Sequence, residues 1–448
     1  MKYIFGLGFL FLLPLLGKGQ QLPESQQLAE KVLNTKNNSS YADDIKVLKA
    51  MEATWLQTAD NRYFNYIKET VDKHLSASAN YTQINSAGFA RSVLMLYRVL
   101  EDDKYYNLLP EFDKKLKARY PLNVLKPGTD TNYEFAVLFN AEYAKLIHDS
   151  SRLSGIVSQL VAIEKQLQST NSHLIFVQGQ YAVALVDMLE ILPDEHPARA
   201  KLAAALNRVI TAVKPYQHGE TGLWNSKLSK AKQGGKNFGP AASAMLVYAI
   251  AKGVRLGDID NTNLSAANKA YNSLRKNYID TGISDNYPMF ICASAEIERA
   301  TIAAVGKRHT VLLDSYFNSE TIRDKSGITV PYHYQWNEMF NNGFSLLGSI
   351  FNTNGFKTKT LYTAPTHTTL KNADVYIIVD PDIPKENPTP NYITDADVTT
   401  ISNWVKEGGV LAVFGNDKGN AEFQHLNKLM DTFGIQFMEG QWKKVEGV

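Results

Sequence analysis

Twice in the first quarter of the chain the same pattern occurs: DNRYFN at Asp60–Asn65 and DDKYYN at Asp102–Asn107, each lying between two stretches of helical period. Self-similarity of this kind marks a chain built from one supersecondary unit that cannot bury its apolar face alone, so neighbouring units must stack. Fainter echoes follow at Asp149 (DSSRL), Asp194 (DEHPARAKL) and Asp260 (DNTNLSAANKA). A short acidic residue ahead of an apolar-periodic run caps a helix by accepting amide protons of its first turn. The unit is therefore a helix, a turn with a capping acid, and a returning helix.

Apolar periodicity predicts about twelve helices between residues 24 and 305, among them 43–58, 61–75, 86–100, 103–117, 132–148, 151–168, 176–192, 196–214, 240–255 and 262–277. Six such hairpins can close into a ring, an (α/α)6 toroid; an open solenoid is the alternative. Past Val305 the period changes. Short apolar runs at 309–315, 357–363, 373–380 and 408–415 alternate with helix-like stretches near 337–351 and 395–407. That alternation predicts a smaller α/β domain of the flavodoxin-like type over 306–448, with a mostly parallel sheet whose completeness the sequence leaves open.

Residues 1–19 form a separate unit. Lys2 leads an apolar run, and Gly17-Lys18-Gly19 supplies the small residues of a cleavage site, which predicts an export signal and a periplasmic or secreted mature chain over 20–305 and 306–448. Pro14 interrupts the run, and a membrane span wants about 18 or more apolar residues, so no membrane association is expected after cleavage. Loss of Lys2 and Lys18 takes the formal charge from +2 to zero, which argues against nucleic acid as a partner. Cys292 is the only cysteine, so the fold must stand without an internal disulfide. The stretch DEHP lacks metal-ligand spacing, and no G-x-x-x-x-G-K loop occurs; no metal or cofactor is expected.

Candidate ligand contacts come from loops held by the helices. YQHGETGLW, residues 216–224, interrupts two helical stretches with Gln217, His218 and Trp224. Trp224 offers a plane for stacking, with packing as the alternative; His218 offers a donor, with a solvated loop as the alternative. Lys236 in GGKNFG and Tyr181 complete the set. Glu134 and Glu142, eight apart on one helix face, read as surface charge.

VLKAMEATWLQTADNRYFNYIKETVD (47–72), YAVALVDMLEILPDEHP (181–197), and YQHGETGLWNSKL with SAMLVYAIAKGVRLG (243–257) resemble glycoside hydrolase family 105 and its family 88 relatives, the unsaturated rhamnogalacturonyl and glucuronyl hydrolases. The resemblance covers roughly residues 43–280. It implies the toroid, an oligosaccharide ligand, and removal of an unsaturated uronic acid by hydration of its ring double bond, with an aspartate as general acid and then base. The family's principal aspartate aligns with Thr131; Asp130, one residue away, is the catalytic candidate, with a helix-capping role as the alternative.

Other family signatures are lost from the loops. TQINSAG carries no carboxylate at Thr82 or Gln83, and LIFVQGQ keeps only Gly179 of a tryptophan- and arginine-bearing run. A non-catalytic glycan-binding protein is therefore a rival expectation, and a helical scaffold without a sugar role a third. The C-terminal part resembles ThuA-like or amidotransferase-like sheet domains on YIIVDPDIP and GNAEFQHLNKLMDTFGIQF. It lacks the cysteine a glutaminase needs, so it reads as a binding or structural module, with Asp380, Asp382, Asn416 and Asp417 as its ligand-facing groups.

Overall fold

The computed structural model describes residues 22–34, 41–77, 86–121, 127, 133–169, 175–192, 196–226, 238–279, 287–302, 306–416 and 419–438. The N-terminal part is helical: α1 (Glu24–Asn34), α2 (Tyr41–Thr58), α3 (Asn61–Ala77), α4 (Ala87–Leu100), α5 (Asp103–Tyr106), α6 (Leu109–Arg119), α7 (Tyr133–Leu146), α8 (Ser150–Ser169), α9 (Ile175–Ile191), α10 (Arg199–Val213), α11 (Pro240–Leu256), α12 (Leu264–Leu274) and α13 (Tyr287–Ile302).

The repeat seen in the sequence has a physical basis. Ala59 and Glu101 both take a left-handed φ, 54° and 50°, where α2 and α4 end. The aspartate that follows then caps the next helix: Asp60 accepts from the Arg62 amide at 3.0 Å, Asp102 from the Lys104 amide at 2.8 Å. Three residues past each aspartate a fully buried tyrosine reaches an acid of the preceding outer helix, Tyr63 to Glu30 at 2.9 Å and Tyr105 to Asp72 at 2.8 Å. Asp149 and Asp260 repeat the cap on Arg152 and Thr262, each at 2.8 Å. Asp194 lies outside the described residues.

Packing sorts the helices into two rings. α2, α4, α7, α9, α11 and α13 each pack on the next, and α13 returns to α2, so the inner ring is closed and the open solenoid is excluded. α7, α9 and α11 are buried nearly all round, as inner helices must be. The outer helices show one buried stripe; in α10 it is Leu202, Ala205, Leu206, Val209, Ile210 and Val213. The segments that lead into the inner helices, 35–40, 78–85, 122–126, 128–132, 170–174, 227–237 and 280–286, lie outside the described residues.

The C-terminal part comprises β1 (Thr310–Asp314), β2 (Thr321–Arg323), β3 (Thr329–Pro331), α14 (Ser345–Thr353), β4 (Lys357–Leu361), α15 (His367–Leu370), β5 (Val375–Val379), α16 (Asp395–Lys406), β6 (Val410–Phe414) and α17 (Phe423–Asp431). β4, β1, β5 and β6 pair in that order, all parallel. This is the order of the first strands of a flavodoxin-like sheet, with apolar layers on both faces. The antiparallel hairpin β2–β3 was not visible in the sequence, because its three-residue strands are mostly exposed and carry no burial pattern.

This sheet domain docks where the inner helices end. Met339 and Leu346 pack on the helical core. Ser349 donates to the Leu56 carbonyl at 3.0 Å, Arg299 to Thr353 Oγ1 at 3.1 Å, and His148 lies 2.6 Å from Asp324. Leu56, Arg299 and His148 sit in or just past the last turns of α2, α13 and α7. The C-terminal end of the ring is thus covered by the second domain.

Candidate functional site

Inside the ring the inner helices turn charged side chains toward one another. Asp187 of α9 is 3% exposed and accepts from Lys49 of α2 at 2.8 Å, Lys252 of α11 at 2.5 Å and Tyr248 of α11 at 2.5 Å. Burial alone would raise the Asp187 carboxyl; Lys252 and Lys49 override it and hold it well below the usual carboxylate range. The same two-sided pairing continues along the lumen. Lys252 and Arg255 flank Glu190, Arg255 and Arg299 flank Glu296, and Arg91 is held between Glu52 and Glu142. Buried charges persist only when paired in this way.

One carboxyl of the lumen stands outside that pairing. Glu134, in the first turn of α7, is 8% exposed and makes no ion pair among the described residues. Its Oε2 accepts from the Gln180 amide of α9 at 3.4 Å. Burial pushes the carboxyl up to about 7; Lys49 pulls it down and Asp187 pushes it up further. Glu134 therefore exchanges its proton near neutral pH, the property wanted of a general acid or base.

The sequence reading of both glutamates needs correction. Glu134 and Glu142 are not surface charge: α7 is an inner helix and both side chains face the lumen, Glu142 in contact with Arg91 at 3.0 Å. An eight-residue spacing looks alike on an inner and an outer helix; only ring closure tells them apart. Lys49 and Asp187 were missed because each sits in an apolar helical run that reads as core. A charged residue on the buried face of such a run was the available signal.

The stretch 216–224 serves a different purpose from the one its composition suggests. Gln217 donates to the Gly222 carbonyl at 2.7 Å and to Ala266 of α12 at 2.9 Å. Lys269 of α12 donates to the Gly219 carbonyl, and Ser273 in the last turn of α12 donates to the Thr221 carbonyl at 2.5 Å. Gly222 sits at φ 72°, and a Cβ there would come within 3.0 Å of the α12 backbone. The loop is a clasp onto an outer helix.

Trp224 is 1% exposed, with its indole N–H donated to the Val213 carbonyl at 3.0 Å, and Tyr181 is fully buried, with its hydroxyl donated to Leu160 at 2.6 Å. Neither ring has a face available to a sugar, so stacking gives way to packing for both. His218 remains partly exposed; its Nδ1 accepts from the Thr221 amide at 3.2 Å, and its ring lies 5.3 Å from that of Phe238. Asp130 and Lys236 lie outside the described residues.

In the sheet domain the strand-end acids are also inward. Asp380, at φ 46° just past β5, accepts from the Tyr334 hydroxyl at 2.8 Å and from Asn416 at 3.1 Å. Asp382 accepts from Asn387 at 2.7 Å and from the Ser319 amide at 2.9 Å. Asp380 is 5% and Asp382 1% exposed, and burial raises both carboxyls. One oxygen of each of these strand-end acids is held by the domain's own side chains. Asp417 lies outside the described residues.

Among the described residues no group of His, Cys, Asp and Glu is arranged to hold a metal ion, and no helix is long and apolar enough to cross a membrane. The Glycosyl Hydrolase Family 88 profile matches residues 177–292, the segment that carries Asp187, Glu190, Tyr248, Lys252 and Arg255. The helical ring is thus similar, over that segment, to glycosyl hydrolase family 88.

Solved structures agree at the level of fold. A family 105 glycoside hydrolase from C. acetobutylicum matches 62% of this chain and 99% of its own length, at 19% identity and a TM-score of 0.52. A Klebsiella pneumoniae protein described as a "possible member of GH105 family" matches 62% of this chain and 94% of its own, at 14% identity and a TM-score of 0.50. The "24.9 kDa protein in picA locus" of Rhizobium radiobacter is 36% identical over 89 residues, which is 20% of this chain. The chain spans 37% of the length of that curated relative. The six-hairpin domain therefore accounts for the family likeness, and the sheet domain lies outside it.

Proposed function

We propose that this chain is an exported hydrolase acting on oligosaccharides that end in an unsaturated uronic acid, of the pectin or rhamnogalacturonan type, and that it adds water to the ring double bond. The observation that carries this reading is the coincidence of the family 88 match with a lumen that contains both fixed cations and one unpaired carboxyl, Glu134. An anionic sugar end needs a cationic environment, and hydration of its double bond needs a proton donor effective near neutral pH. Lys49, 13% exposed and near Glu134, supplies the first. His218 and Lys236 are further proposed contacts on the segments leading toward the N-terminal end of α11.

A second reading keeps the ring as a glycan-binding platform without turnover. It is favoured by the burial of Trp224 and Tyr181, which removes two expected sugar contacts. The two readings separate when purified protein is mixed with a pectin or rhamnogalacturonan lyase digest. Turnover appears as decay of the ultraviolet absorbance of the conjugated double bond; calorimetric binding with constant absorbance favours the platform. For export, N-terminal sequencing of secreted material is expected to begin at Gln20.

A further inference from the structure

We infer that Glu134 is a residue that gives and takes the proton at this site, an assignment that rests on the hydration reading above. Three features of the geometry lead there.

The first is position. Glu134 lies in the first turn of an inner helix, at the end of the ring opposite the sheet domain. Cα–Cβ bonds tilt toward a helix N-terminus, so a side chain in the first turn is directed to that end and not down the lumen.

The second is partnership. Among the described residues, every other carboxylate of the lumen network is in contact with a lysine or arginine. Lys49, the cation nearest in effect to Glu134, is committed to Asp187. The Gln180 amide donates to Oε2 at 3.4 Å and orients the group. Groups that face Glu134 are Lys49 from α2, Gln180 and Asp187 from α9, and Tyr133 beside it on α7.

The third is proton affinity, which burial raises into the range where both forms are populated at neutral pH. A permanently ionised acid such as Asp187 cannot donate, and a carboxyl in full solvent contact donates only in acid. In the proposed step the Glu134 O–H bond breaks and its proton adds to one carbon of the substrate's ring double bond. The positive charge left on the neighbouring carbon is shared with the ring oxygen. A water oxygen bonds to that carbon, and the proton it sheds returns to Glu134, so the net change is addition of one water with no oxidant or reductant.

The test uses full-length wild type, Glu134→Gln and Glu134→Asp on one lyase-generated unsaturated digalacturonide, read by absorbance decay, with far-ultraviolet circular dichroism confirming that each variant is folded. Glu134→Gln is expected to lower kcat by about 100-fold or more with KM changed little. Glu134→Asp is expected to keep measurable turnover and to move the alkaline limb of the kcat/KM profile, a shift that a structural role would not produce. An active wild type with an equally active, folded Glu134→Gln overturns this assignment alone. An inactive wild type that still binds the sugar overturns the hydration reading, and the assignment with it.

Discussion

The Lys49 ammonium lies 2.8 Å from the Asp187 carboxylate, joining α2 to α9 across the lumen of the helical ring. Lys252 approaches the same carboxylate from α11 at 2.5 Å. One buried anion thus ties three inner helices together.

Asp187→Asn is expected to destabilise the chain by about 3–5 kcal/mol, because it leaves Lys49 and Lys252 charged and without their shared partner. Urea unfolding of the two proteins checks this. The folded Asp187 carboxyl titrates below its ordinary value of 3.8, so its contribution is present at neutral pH and disappears on acidification below that value. The difference between wild type and variant is therefore expected to shrink in strong acid. A loss under 1 kcal/mol at pH 7 would mean that the network is solvated.

Glu134 gives the opposite pH dependence. Its folded value, about 7, lies above the ordinary 4.5, so the folded chain holds the proton longer than the unfolded chain. Stability is undiminished below pH 4.5, falls as the pH rises through the interval, and reaches its full loss above pH 7. The loss is about 3 kcal/mol for a shift of this size. The melting temperature of wild type is expected to drop between pH 5 and pH 8 relative to Glu134→Gln. Parallel curves for the two proteins would refute the buried, unpaired environment.

Trp224→Ala is expected to cost about 3–5 kcal/mol, the range for deleting a fully buried large aromatic side chain. Trp224→Phe keeps most of the packing and loses the bond to the Val213 carbonyl, for about 1 kcal/mol. Sugar affinity of the folded Phe variant is expected to match wild type. A large affinity loss with unchanged stability would return Trp224 to the binding site.

Met339 and Leu346 anchor the sheet domain on the helical core. Met339→Asp with Leu346→Asp places two charges in that apolar contact and is expected to separate the domains. Limited proteolysis of the stretch between Ile302 and Thr310, and faster amide exchange at the end of α13, check it. Unchanged protection would show that Arg299 to Thr353 and Ser349 to Leu56 suffice to hold the interface.

Much of the fold was legible before any coordinates, for local reasons. Asp60 and Asp102 announce helix starts because capping needs only a side chain and the amides two residues on. The strand runs beginning near 309 and 373 are legible because a buried parallel strand is a short apolar block. Hydrogen bonds within one turn of helix leave their mark on neighbouring residues, and so do strand periods.

The site was less legible. Trp224 and Tyr181 looked available because residue type says nothing of whether a ring is covered, and the covering atoms come from Val213 and Leu160, distant in sequence. Glu134 looked like surface charge because its helix could have been inner or outer. Loss of loop motifs at Thr82 and Thr131 was plain in the sequence, yet the position of a compensating carboxyl was not.

The sequence by itself determined the alternation of helix and strand, the series of helical hairpins with a parallel-sheet domain behind it, and the capping acids at its turns. These depend on periodicity and on contacts within a few residues. Only the tertiary structure decided that Asp187 is clamped by two lysines while Glu134 is left without a cation, and that the sheet domain covers the C-terminal end of the ring. Pairing and burial are set by groups from different helices meeting across the lumen, and no stretch of sequence contains that meeting.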